Sequence, residues 1–206
     1  MSQYSTPQEQ FWAGEFGTEY IQRNTGDDVV GSNEVRFRSI LRRSSNISAV
    51  LELGCNIGLN LDALHRIDPS LSLSGYEINE EAVAIARGKG IAKIVPETII
   101  GKIAGDAVFD LVFTKTVLMH INPEYLAKVY DNLHRLSRRY VMVCEYYNPT
   151  PVTVSYRGHH DRLFKRDFAG ELIERFGLKL VDYGFAHHRE PAMRYQDDVT
   201  WFLLEK

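Results

Sequence analysis

From Ser48 onward, short apolar runs bounded by turn residues alternate with segments of helical period, and this alternation constrains the fold more than any other feature. Strands are predicted at Ala49–Leu53, Leu71–Glu77, Ile91–Val95, Phe109–Thr114, Tyr140–Cys144, Leu178–Tyr183 and Thr200–Leu204. Helices are predicted at Leu59–Ile67, Glu80–Lys89, Pro123–Leu136 and Lys165–Phe176. Such an order builds a mostly parallel open sheet with helices on both faces. The last two strands have no helix between them, so they are expected to form an antiparallel pair at one edge.

Before this core, residues 1–46 read as an amino-terminal helical cap or lid on a single domain whose core spans 47–206. One helix is expected from Pro7 to Arg23, with Phe11, Trp12, Phe16 and Tyr20 on one stripe. That stripe reads as core. Gly14 and Gly17 weaken the helix by roughly 1 kcal/mol each, which also admits a mobile lid closing over a ligand. A turn cluster, Asn24 to Asp28, separates it from a second helix at Glu34–Arg43, which buries Val35, Ile40 and Leu41 and leaves Arg36, Arg38, Arg42 and Arg43 solvated.

Composition excludes several classes. Among 206 residues, 24 Lys and Arg face 27 Asp and Glu, and a net charge of -3 supplies no field for a polyphosphate partner, so nucleic acid is not expected. Cys55 and Cys144 lack metal or redox spacing, which fits a reducing cytoplasm. The start carries neither the basic residues nor the apolar run of a signal peptide, and no stretch approaches the roughly 18 apolar residues of a membrane span. The sequence is silent on oligomeric state.

The chemistry is expected at the turn after the first strand. Val50 to Asn60 runs from an apolar strand through Gly54 and Gly58 into a helix, a place where backbone N–H groups and a helix start can approach a polar ligand. A dinucleotide fingerprint fails, because Asn56 and Leu59 stand where its second and third glycines belong. Glu52-Leu-Gly54-Cys-Asn56-Ile-Gly58 instead resembles the first motif of class I S-adenosylmethionine-dependent methyltransferases, with Asn56 at the middle glycine. Glu77, 25 positions after Glu52, and the segment Phe109 to Ile121 extend the resemblance.

The resemblance implies a Rossmann-like fold, S-adenosylmethionine as cofactor, and contacts to it from Glu52, Gly54, Cys55, Asn56, Gly58, Glu77, Ile78 and Thr114. Glu77 would accept both ribose hydroxyls, and Cys55 otherwise reads as a small buried filler. Tyr20 and Arg23 of the lid could reach the methionine carboxylate. With Phe11 to Asn24 and the final Trp201 to Lys206, the chain looks like the pseudaminic acid biosynthesis-associated methylases, which implies a sugar or nonulosonic-acid acceptor.

For the acceptor side, His120 is the candidate base, competing with a role in capping the helix that begins near Pro123. Arg157, His159, His160 and Arg162, in the connection after the fifth predicted strand, are candidates for holding an anionic small molecule, against a plain solvated loop. His159-His160 and His187-His188 do not suggest a metal, since adjacent imidazoles point apart and no third ligand has convincing spacing. Methyl transfer competes with 3-amino-3-carboxypropyl transfer from the same cofactor, and with a non-catalytic cofactor-binding partner.

Overall fold

A computed structural model describes residues 4–23, 26–193 and 197–206. Seven strands form one sheet: β1 (Ala49–Leu53), β2 (Ser72–Tyr76), β3 (Lys93–Val95), β4 (Phe109–Lys115), β5 (Ser137–Glu145), β8 (Lys179–Ala186) and β9 (Val199–Glu205), in the order β3-β2-β1-β4-β5-β9-β8. Neighbours from β3 to β5 pair in parallel, whereas β9 runs antiparallel to both β5 and β8. This is the seven-stranded Rossmann-like architecture that the alternating pattern predicts.

Strand alternation fills two cores. Val50, Leu111, Phe113, Tyr140 and Met142 face one side of the sheet, while Leu51, Leu53, Val112, Val141 and Val143 face the other. The first layer is covered by α3 (Asp27–Leu41), α4 (Leu59–Ile67) and α5 (Glu80–Gly88), which contribute Phe37, Ile40, Leu61, Leu64 and Val83. The second is covered by α6 (Leu126–Leu136) and α7 (Phe168–Phe176) through Val129, Leu133, Leu136 and Leu172. Each of these large side chains contributes about 1.5–3 kcal/mol by leaving water.

Three elements differ from expectation. The first helix is two, α1 (Pro7–Ala13) and α2 (Glu15–Ile21), broken at Gly14, where φ is -95° and ψ -156°. Gly17 makes the fold-back possible, since a Cβ there would lie 1.8 Å from the Trp12 carbonyl oxygen. Asn79 Nδ2 donates to the Trp12 and Ala13 carbonyls at 3.3 and 3.4 Å, tying the break to the start of α5. Next, α3 begins at Asp27 rather than Glu34, with Asp27 and Asp28 favourably placed at its positive end. Residues 24 and 25 of the expected turn lie outside the described residues.

The third difference is a hairpin, β6 (Val152–Tyr156) and β7 (His159–Lys165), where a polar connection was expected. Its turn residues Arg157 and Gly158 both have positive φ, 49° and 83°, the geometry that matches the twist of two-residue hairpins. Consequently Lys165 ends a strand, and α7 starts at Phe168 behind an Asp167 cap that accepts from Gly170 N at 2.8 Å.

Candidate active site

A cavity of about 430 Å³ opens across the carboxyl ends of β1, β2 and β4, within the range of small-molecule sites. The cap forms one wall, with Glu9 and Trp12 of α1, Tyr20 of α2, and Val29, Asn33 and Arg36 of α3 lining it. A reciprocal box fixes the start of α1: the Glu9 N–H donates to Thr6 Oγ1 at 3.1 Å and the Thr6 N–H donates to Glu9 Oε2 at 3.0 Å. Thr98, just after β3, hydrogen-bonds Glu9 Oε1, so the cap is fastened to the sheet.

The turn after β1 has positive φ at Gly54 (80°), Asn56 (46°) and Gly58 (76°), so Asn56 adopts the left-handed conformation required of it. Its N–H groups are engaged within the protein. Gly54 and Cys55 donate to the Tyr76 carbonyl at 2.8 and 2.9 Å, Asn56 to Glu77 Oε2 at 2.7 Å, and Ile57 to Asn56 Oδ1 at 2.6 Å. The expectation that these groups present themselves to a ligand is therefore corrected: they clamp the turn onto the end of β2. Gly54, Cys55 and Asn56 still line the cavity, whereas Gly58 does not, and a Cβ on it would meet Ala86 at 3.4 Å.

Glu77 and Ile78 line the cavity. Glu77 Oε1 accepts from Ile78 N and Asn79 N, both at 2.8 Å, and Oε2 accepts from Asn56 N. A carboxylate has about four acceptor positions, so one remains on Oε2; the geometry supports one full bond to a ribose hydroxyl rather than two. Burial pushes the Glu77 carboxyl up, opposed by those three N–H donors. Glu52 lies under the turn, fully buried and outside the lining, and reaches the cavity through Asn60, whose Nδ2 donates to its Oε1 at 2.6 Å. Its Oε2 has no hydrogen-bond partner among the described residues, and burial pushes its pKa up to about 8.

Other predicted contacts separate. Thr114 is fully buried in β4 and outside the lining, because the strand continues one residue further and delivers Lys115 and Thr116 instead. Tyr20 lines the cavity; Arg23 is exposed, with its guanidinium carbon 5.5 Å from the Phe16 ring centroid, and is not in the lining. Burial raises the Cys55 thiol pKa, as suits the filler reading.

His120 sits in the cavity wall on a short 3₁₀ turn, Leu118–His120, following β4. That turn hangs on buried Glu145, whose Oε1 accepts from Val117 N and Leu118 N at 3.1 and 3.0 Å. His120 Nδ1 lies 2.7 Å from the Arg162 carbonyl oxygen, which can only accept, so Nδ1 carries the proton and Nε2 is left as an acceptor. Burial pushes its pKa down to about 4. The capping alternative is overturned, since Asn122 caps the next helix by accepting from Glu124 N at 3.0 Å.

Arg157, His159, His160 and Arg162 do not line the cavity. The hairpin lies across the outside of α1: the Arg162 guanidinium carbon is 5.3 Å from the Phe11 ring centroid, His159 packs edge-on against Phe11 at 4.9 Å, and Gln8 Nε2 donates to the Asp161 carbonyl at 2.9 Å. The four stand on the hairpin, outside the lining of the cavity. His187 and His188 also depart from expectation, because both Nδ1 atoms converge on Asp198 Oδ1, at 3.0 and 2.8 Å. All three side chains are exposed.

Arg36, Asn33, Lys115, Asn60 and Trp12 are lining residues that sequence reasoning missed as ligand contacts. A signal existed for α3, since positions 29, 33 and 36 share one helical face.

Residues 51–141 match the sequence family described as a methyltransferase domain. Among similar solved structures is the magnesium protoporphyrin IX methyltransferase of Synechocystis PCC 6803 with bound S-adenosylhomocysteine, at 16% identity, covering 96% of this chain and 97% of that one, with a TM-score of 0.69. Another is the 1,6-didemethyltoxoflavin-N1-methyltransferase of Burkholderia thailandensis, at 13%, covering 100% and 92%, with a TM-score of 0.68. An S-adenosylmethionine-dependent methyltransferase of Leishmania major matches at 13%, covering 98% and 87%, with a TM-score of 0.72. Comparison with curated proteins finds no match. The matched segment, residues 51–141, is that of a methyltransferase domain, and the fold is the one these S-adenosylmethionine-dependent methyltransferases share. Among the described residues no helix is long and apolar enough to cross a membrane.

Proposed function

We propose that the protein methylates a hydroxyl or amine of a small molecule, a sugar or nonulosonic-acid intermediate. The observation that carries the small-molecule reading is that Glu77 and His120 line one cavity of about 430 Å³ walled by the cap helices. The sugar class rests on the likeness of the amino-terminal block, Phe11 to Asn24, to the pseudaminic acid-associated methylases.

When bound, the cofactor supplies an already activated methyl group, so the protein's work is alignment. Glu77 would hold the ribose, and Asn60 with Glu52 the region beneath the turn. His120 Nε2 would accept the hydrogen bond of the acceptor hydroxyl or amine and receive its proton as transfer proceeds.

The test is incubation with S-adenosylmethionine and a bacterial small-molecule extract, followed by mass spectrometry. A product heavier by one methylene, with S-adenosylhomocysteine as by-product, is expected. Methylthioadenosine as the sulfur by-product would assign aminocarboxypropyl transfer instead. Cofactor binding without turnover across candidate sugar acids would leave the non-catalytic reading.

A further inference from the structure

Outside the lining of the cavity, the sheet brings one set of metal-ligating side chains together. β8 ends at Ala186 and β9 begins at Val199, and these two buried residues are partners in the antiparallel ladder. That register sets His187 and His188, which leave one strand, beside Asp198, which enters the other. Spacing along the chain hides the relationship, because strand pairing supplies the third ligand.

Adjacent side chains on a regular strand point to opposite faces. Here the chain turns at once, with Glu190 N donating to the His187 carbonyl at 2.9 Å. The two imidazole rings consequently lie together, their centroids 4.6 Å apart and their planes at 83°, and the Phe185 ring stacks on that of His187 at 6.0 Å. His187 Nδ1 and His188 Nδ1 are 3.0 and 2.8 Å from Asp198 Oδ1. The His188 N–H donates to the same oxygen at 2.7 Å and so orients the carboxylate. Among the described residues this is the one trio of His, Cys, Asp or Glu side chains whose ligand atoms all lie within 4.8 Å of one another.

Ligands about 2.0–2.2 Å from a tetrahedral zinc ion stand roughly 3.3–3.6 Å apart, so a spreading of roughly 0.5 Å would seat the ion. Two imidazoles and one carboxylate suit zinc and its first-row neighbours, whereas magnesium and calcium take oxygen ligands. As each Nδ1 lone pair turns to the metal, its proton shifts to Nε2 and the ring stays neutral. The side chains are 49%, 50% and 40% exposed, which leaves water free to complete the shell.

We infer that His187, His188 and Asp198 form a surface site for a divalent first-row transition ion of the zinc kind. Bound there, the ion joins the end of β8 to the start of β9. Asp197 and Val199, on either side of Asp198, line the cavity, so this clamp stands directly behind its wall. The inference is independent of the reaction the cavity performs.

The test is calorimetric titration of the full chain, without an affinity tag and stripped by a chelator, with zinc chloride in excess magnesium. It is run at about pH 7.5, where ordinary imidazole is mostly neutral. Saturable uptake of one zinc ion per chain is expected, with a zinc-dependent rise in melting temperature. His188→Gln and Asp198→Ala should each weaken binding at least tenfold and abolish that rise, while their melting in chelator stays close to wild type. His160→Gln, in the β6–β7 hairpin, should bind as wild type does. No saturable uptake by the wild-type protein, or undiminished binding by both site variants, would overturn the inference. An equal loss in His160→Gln would do the same, since it marks the uptake as scattered surface binding.

Discussion

Glu77 Oε2 accepts the backbone N–H of Asn56 at 2.7 Å, joining the carboxylate after β2 to the turn after β1. The group expected to hold a ribose therefore also holds the loop that shapes the cavity. Replacing it by Ala should weaken S-adenosylhomocysteine binding by about 1.5–3 kcal/mol for the one charge-assisted bond, and lower the melting temperature as three N–H groups lose their acceptor. Calorimetry with thermal unfolding separates the two effects; unchanged affinity would remove Glu77 from the cofactor site.

Gly58→Ala should cost about 1–2 kcal/mol of stability from positive φ alone, with cofactor affinity nearly unchanged, because the added Cβ faces Ala86. Gly54→Ala should do more, since its Cβ would sit 2.7 Å from Val117 Cγ2 in the wall leading to His120. Paired denaturation and binding curves check this contrast.

His120 is held neutral by burial, with a folded pKa of about 4 against an ordinary value near 6.5. The unfolded chain binds the proton more readily, so this residue's contribution is full above about pH 6.5 and is lost as pH falls toward 4. Its upper size is about 3 kcal/mol. His120→Gln should flatten that part of the stability profile, and wild-type methyl transfer should show no limb near pH 6.5 belonging to this group. A titration near 6.5 seen by NMR on His120 would contradict the assignment.

Glu52 behaves in the opposite sense. Its folded pKa of about 8 lies above the ordinary value of 4.5, so the stability tied to its proton is present below about pH 4.5 and is lost as pH rises through 8. Glu52→Gln should reduce the fall in melting temperature between pH 5 and 9. An identical slope in both proteins would show that Glu52 is ionised throughout.

Glu145 positions His120 through the 3₁₀ turn and does not line the cavity. Glu145→Leu should remove the acceptor for Val117 and Leu118 N–H, lowering kcat, while Glu145→Gln, which keeps a carbonyl oxygen, should recover most of it. Loss of cofactor affinity in step with kcat would assign the residue to folding alone.

The sheet was legible because its strands are short apolar runs and the cavity position follows from parallel order; Leu59–Ile67 even has the expected bounds. What escaped were contacts decided by tertiary packing. Arg36 shares its sequence neighbourhood with Arg38, Arg42 and Arg43, yet it alone of the four is buried, because its face of α3 turns to the cavity. The hairpin cations are dense in sequence and sit outside the site, because the aromatic stripe of α1 lies beneath them. Thr114 and Lys115 exchanged roles through a single added residue in β4, since each step along a strand reverses the side chain.

The insertion of β9 between β5 and β8 also orders the assembly of the sheet in time. On a growing chain β8 is made with no partner on either side, and it carries Leu180, Tyr183 and Phe185, which stay exposed after Val199–Glu205 pairs with it. Until then it is an unprotected edge, open to pairing with another nascent chain. Residues 199–205 thus cover one side of β8, and its other side remains the edge of the finished sheet.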